Sequence, residues 1–302
     1  EFSEEGTFLR SAGRQGTGPG EFQMPRGMTV MPGGEVLVSD MGGGALSVFD
    51  DSLRWVEKIT GFFPRPPYSV TPAGDSSFVG MMPAFDREQG LTGYTIARLE
   101  DSSEPSVVYS SEMRPFDPSR FGPLAEEEQP VFTSDLAGRV FIAQPGSDRI
   151  QVTGYMPDGT EFLRIEERVE RVEKTQAELD AEEEEFQEIS SRMGRRFRGA
   201  DPTFDPIPFR RAVSELGIDR DNRLWVRLGT LRYPFWNVYD MNGRLLFTAS
   251  ISPDVNDGIG DWSMLEFVNA VQRGVSPDGR HYYPAFPYTS YARMRTEDVM
   301  DL

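Results

Sequence analysis

The chain reads as an all-β protein made of repeated four-strand units, the pattern of a β-propeller. Three observations predict this. Short apolar runs alternate with turns rich in Gly, Pro, Asn and Asp along most of the 302 residues. A hairpin signature recurs as MPGGE (31–35), TPAGD (71–75), SDLAGR (134–139), IDRDNR (218–223) and SPDGR (276–280). An aromatic residue also stands four positions before a turn at Phe2, Tyr155 and Tyr239, and at Phe49 in a version without glycine. Gly34 and Gly74 lie 40 residues apart, within the roughly 40–50 residues of one blade.

Taken in order, Met28–Met31, Val36–Ser39 and Leu46–Phe49 are three consecutive strands parted by Pro32-Gly33-Gly34 and by Asp40 to Gly44. Five blade units follow from the repeats: Phe22–Gly61, Phe62–Asp117, Gln129–Glu166, Phe209–Asp254 and Asn269–Leu302. The second carries a longer excursion around Met82–Gly93. Residues 1–13 read as outer strands of a further, partial blade. Either they complete the last unit, which gives five blades, or residues upstream of Glu1 supply an inner pair, which gives six.

The run GTGPGEFQMPRGMTV, followed by GGEVLVSD and LSVFD, resembles one blade of an NHL-type β-propeller. The resemblance implies a single six-bladed domain over 1–302, of secreted bacterial type, and so export to the periplasm or cell surface. It implies no particular activity, because propellers host many unrelated ones.

The stretch Ile165 to Arg198 breaks the β pattern. Val172, Leu179, Phe186 and Met193 fall seven apart, which predicts one apolar stripe on a helix of about eight turns spanning 165–198. Acidic residues crowd its start and Arg192, Arg195, Arg196 and Arg198 its end, in the order that complements the helix dipole. Such a stripe either covers the chain's own blades or docks on a partner or a second copy. Glu182–Glu185 reads as a solvated face.

Charge and composition exclude several classes. With net charge −18 and no basic stripe, a nucleic-acid partner is not expected. No apolar run reaches the roughly 18 residues of a membrane span. The chain has no Cys, hence no disulfide, thiolate metal site or Cys nucleophile. Residue 1 is Glu, so the start is either processed or continues from a longer chain. The single histidine, His281, sits in a strand-like run and suggests neither a zinc site nor a Ser-His-Asp relay. The GPGEF segment lacks the Lys and the helix of a phosphate loop.

Three sites remain as candidates. Asp254, Asn256, Asp257 and Asp261 supply hard oxygen ligands within one loop, so calcium is the one cofactor considered; the spacing departs from an EF-hand, and an Asx-rich turn is the plainer reading. Tyr233, Phe235, Tyr288 and Tyr291 lie beside Arg232 and Arg293 and are either blade core or an aromatic rim for a peptide or glycan. The helix stripe is the third. Asp40, Asp219, Asp221 and Asn222 read as turn residues. The expected function is a non-enzymatic binding or interaction module for a peptide, glycan or protein. A structural subunit of an extracellular assembly is the alternative, and a calcium-dependent hydrolase or lactonase a further one.

Overall fold

The computed structural model describes residues 8–62, 64–117, 123–193, 203–229, 234–250, 261–273 and 275. The chain divides into two compact units, Gly13–Leu216 and Gly217–Leu302 with Glu1–Ala12.

The first unit opens on a Gly-rich loop pinned by β1 (Arg14–Gln15) and β2 (Glu21–Phe22), which pair in parallel. Three four-stranded antiparallel meanders follow. The first is β3 (Pro25–Val30), β4 (Val36–Asp40), β5 (Ala45–Phe49) and β6 (Trp55–Ile59). The second is β7 (Ser69–Pro72), β8 (Phe78–Asp86), β9 (Leu91–Leu99) and β10 (Val107–Pro115). After the short helix α1 (Pro123–Glu127) comes the third: β11 (Val131–Ser134), β12 (Val140–Ala143), β13 (Arg149–Tyr155) and β14 (Glu161–Arg168). Helix α2 (Gln176–Met193) then leads back through Phe204 to Arg211. β15 (Glu215–Ile218) passes into the second unit, where β16 (Leu224–Gly229), β17 (Pro234–Tyr239) and β18 (Leu245–Ser250) complete a fourth meander and α3 (Met264–Arg273) follows.

These sheets make the chain an all-β propeller protein. Apolar side chains between successive sheets of the first unit supply the core. Leu37, Leu46 and Ile59 of the first sheet meet Val70, Phe78 and Leu99 of the second. Val79, Met81, Tyr94 and Ile96 of the second meet Val140 and Ile142 of the third. Polar staples cross the same boundaries. The Arg98 guanidinium donates to Ala73 O, Ser77 Oγ and Tyr109 Oη in its own sheet and to Gly138 O of the next. Ser134 Oγ donates to Pro72 O at 2.8 Å. In the second unit, Trp225 packs edge-on against Trp236 and Phe247.

One turn recurs. Asp50, Asp135, Asp219 and Asp240 each open a hairpin and accept the backbone N–H of the residue four positions on, which is Arg54, Arg139, Arg223 or Arg244. In the first three, that arginine returns to the same carboxylate, at 2.8, 2.5 and 2.6 Å. The residue before the arginine has positive φ: Leu53 57°, Gly138 82°, Asn222 58° and Gly243 79°. Glycine adopts this conformation at no steric cost, and Asn tolerates it. Asp40 caps a different loop, accepting from Gln23 N and Met24 N.

The described residues hold four four-stranded sheets, where the repeats predict five units and the NHL resemblance six. The predicted fifth unit begins at Asn269, which lies inside α3 instead; Ser263 and Glu266 each donate a backbone N–H to the other's side-chain oxygen as a capping box and start that helix. Residues 276–302 and 1–7 lie outside the described residues. The predicted 165–198 helix is shorter than expected. Residues up to Arg168 remain strand, because Leu163 and Ile165 point into the core while Arg164 and Glu166 face out. Thr175 and Glu178 form a second capping box, and the helix has 18 residues from Gln176.

The turn geometry gives a stability prediction. A non-glycine residue in the left-handed region costs roughly 1–2 kcal/mol, so Leu53→Gly raises stability by about 1 kcal/mol, after the entropy glycine adds to the unfolded chain. Gly138→Ala lowers it by at least as much, since its Cβ would also lie 2.7 Å from the Arg98 guanidinium. Urea denaturation of both variants checks the opposite signs.

Candidate functional site

Strands β8, β9 and β10 have nine residues each, whereas β4, β5 and β6 have five. The extra length carries the second sheet past its neighbours, and α1 closes over the overhang. Between them lies a cavity of about 230 Å³. Thr92, Gly93 and Tyr94 of β9 form its floor with Tyr68 and Pro83, Glu112 and Arg114 of β10 one side, and Ala125, Glu128 and Gln129 of the α1 segment the other.

The polar groups are fixed by one another. Tyr94 Oη donates to Glu112 Oε2 at 3.1 Å. Burial and the neighbouring Glu112 carboxylate push the Tyr94 phenol up to about 12, so it stays a donor at neutral pH. Arg114 Nη1 pairs with Glu128 Oε2 at 2.5 Å and ties β10 to α1. Gly93 lets the two strands come together: a Cβ there would stand 1.7 Å from Glu112 O. Any side chain at 93 would displace the strand that carries Glu112 and Arg114.

The α1 wall is held from behind by the arms of the α2 segment. Lys174 Nζ is nearly inaccessible, its side chain 3% exposed, and sits 2.5 Å from Glu127 Oε1 and 2.8 Å from Glu182 Oε1. Burial pushes the Glu127 carboxyl up, against the pull of that ammonium. Arg211 donates Nη2–H to Gln129 O at 2.8 Å and Nε–H to Val213 O. Arg210 forks onto Glu178, Nε to Oε1 and Nη2 to Oε2. That fork holds the Glu178 carboxyl down to about 2, helped by its bonds from Thr175.

The residues predicted from sequence fall elsewhere. Phe186 is fully buried and packs against Phe204 at 5.4 Å, so it belongs to the chain's own packing. Leu179 is half-buried, Met193 ends α2, and Val172 is exposed in the arm before the helix, which pairs with Phe209 through Glu173. Glu182 is not on a solvated face: it holds Lys174, while Glu183, Glu184 and Glu185 are exposed. Phe235 is half-exposed on β17 of the other unit. Tyr233, Tyr288, Tyr291 and His281 lie outside the described residues, as do Asp254, Asn256 and Asp257; Asp261 is an exposed turn residue ahead of α3. Among the described residues no three His, Cys, Asp or Glu side chains are grouped to hold a metal ion. Sequence reasoning missed Tyr94, Glu112, Arg114 and Glu128. Their signal was the excursion of the second unit, whose strands alternate past the length a blade needs.

No family model matches the chain. Short stretches match curated bacterial proteins. A diheme cytochrome c-type protein of Cereibacter sphaeroides is 51% identical over 53 residues, 18% of each chain. A nicotinate dehydrogenase subunit of Pseudomonas putida is 47% identical over 57 residues, 19% of this chain and 5% of that one. The cytochrome c subunit of a quinone alcohol dehydrogenase of Gluconacetobacter polyoxogenes is 42% identical over 57 residues, 19% and 12% of the two chains. Each match therefore spans under a fifth of the relative. Thioether attachment of a c-type haem needs a C-x-x-C-H segment; a chain without cysteine does not fit that group. Among solved structures, virginiamycin B lyase of Staphylococcus aureus is 11% identical, covering 78% of this chain and 57% of that one with a TM-score of 0.36. A gluconolactonase of Xanthomonas campestris is 16% identical, 74% and 60% covered, TM-score 0.35. The propeller architecture follows from the four four-stranded sheets among the described residues.

The Glu178–Arg210 fork predicts an acid dependence. The folded carboxyl titrates well below its ordinary 4.5, so its contribution to stability is complete above that value and is lost as pH falls towards about 2. Glu178→Gln is less stable than the parent chain at neutral pH, and the gap closes between pH 4.5 and 2. Urea midpoints of both proteins measured across that range check this.

Proposed function

We propose that the chain is an exported, non-enzymatic binding module of the propeller type, and that it receives a peptide, glycan or protein partner at the cavity between the second sheet and α1. The observation that carries this reading is the preformed polar lining. Tyr94, Glu112, Arg114 and Glu128 are already oriented by mutual bonds, so little ordering is left for a ligand to bring about. The cavity combines an aromatic floor with a few convergent polar groups, the usual composition of a recognition pocket. Exposed Met28 and Val30 on β3 add an apolar surface that suits a protein partner. The short matches to dehydrogenase subunits support a partner that is itself a protein.

The GTGPGEF segment and the strands that follow support the NHL type, and the SPDGR signature at 276–280 supports at least one further unit beyond four. The NHL resemblance also supports the periplasm or cell surface as the location. No helix among the described residues is long and apolar enough to cross a membrane.

Titration of the isotope-labelled full chain with capped dipeptides and with methyl glycosides tests the reading by NMR. At least one class shifts the amides of Thr92, Tyr94 and Ala125, and Ala125→Trp, which fills the cavity, abolishes those shifts. Shifts that survive Ala125→Trp, or none with either class, contradict it.

A further inference from the structure

We propose that the cavity takes the cationic side chain of a basic peptide, a primary ammonium or a guanidinium. This rests on the binding-module reading and names its ligand. The formal charges of the lining are Glu112, Glu128 and Arg114, two negative and one positive. Arg114 is already matched by Glu128 at 2.5 Å. Glu112 meets Tyr94 through Oε2 and otherwise stands exposed at the mouth, a carboxylate with acceptor capacity left over. A cation entering beside Glu112 makes the unmatched charge a pair, and a charge-assisted hydrogen bond is about twice as strong as a neutral one. Tyr68 and Tyr94 line the floor, and an aromatic ring attracts an ammonium or guanidinium that reaches its face. An anion would have to displace Glu128 from Arg114 and lie against Glu112.

Size points the same way. The cavity of about 230 Å³ is below the roughly 300–1,000 Å³ of pockets that enclose whole drug-sized ligands. It admits one side chain, with the rest of the peptide outside. The net charge of −18 over 302 residues adds a long-range attraction for a basic partner that weakens with salt.

The test titrates the full chain, and its Glu112→Gln variant, with three probes: Nα-acetyl-lysine amide, Nα-acetyl-norleucine amide and methyl glucoside. Amide shifts at Thr92, Tyr94 and Ala125 report occupancy. The lysine probe binds the parent chain on the order of tenfold more tightly than its neutral isostere. That preference shrinks in 0.5 M salt and disappears in Glu112→Gln. Because the salt response is read on the parent protein, it decides the matter even where the variant folds poorly. Equal affinity of the lysine and norleucine probes overturns the proposal. So does methyl glucoside binding at those amides without the lysine probe, an outcome that leaves the binding-module reading intact. Silence at those amides with all three probes, and with the dipeptides and glycosides above, removes both.

Discussion

A buried ammonium group ties the two helices of the first unit to each other. Lys174 Nζ is shared between Glu127 of α1 and Glu182 of α2, almost sealed from water. Two carboxylates share the ammonium, the Arg211 guanidinium also bears on Glu127, and burial still raises the Glu127 carboxyl. Removing one partner of such a pair costs about 3–5 kcal/mol, more than any exposed ion pair returns. Arg211 adds a second tether through Gln129 O. Helix α1, at five residues, is too short to hold a position by its own hydrogen bonds. Its place against β10 therefore depends on these side chains together with the Arg114–Glu128 pair, and with it the outer wall of the cavity.

The first, third and fourth of the four-stranded sheets carry a different device, one that is local and repeated. An aspartate caps a hairpin, a residue of positive φ turns it, and an arginine returns to the aspartate. Each copy fixes register within its own sheet. Arg98 and Ser134 then staple the second sheet to the third, at the same boundary where Val79, Ile96 and Ile142 are sealed from water. The insertion stands outside that scheme. Its described residues after Arg168 add no strand to the sheets, and its buried face rests on Phe186 and the Lys174 cluster.

Much of the fold was legible because its signals are local. The turns at 134–139 and 218–223 were visible as Asp followed, three positions later, by Gly or Asn, and the strands between them as alternation. The same locality explains the errors. Thr175 with Glu178, and Ser263 with Glu266, are both capping-box spacings, and they set the helix starts that the heptad reading of Val172 and the blade reading of Asn269 overlooked. The cavity was not legible, because its walls come from residues as far apart as Tyr68 and Gln129. Nothing in the spacing of Tyr94, Glu112 and Glu128 shows that strand overhang and helix will meet. Lys174 is one of two lysines in the chain, yet its burial depends on Glu127, 47 positions earlier, and is a fact of tertiary structure.

The dependence of the cavity wall on the buried ammonium can be measured directly by hydrogen exchange on the full chain and on Lys174→Met, which keeps length and removes charge. The amides of Leu124 to Gln129 should lose about tenfold or more of their protection in the variant, while those of β8 and β9 keep theirs. Unchanged protection at 124–129 would mean that the wall holds itself, and the insertion would then have no part in shaping the site.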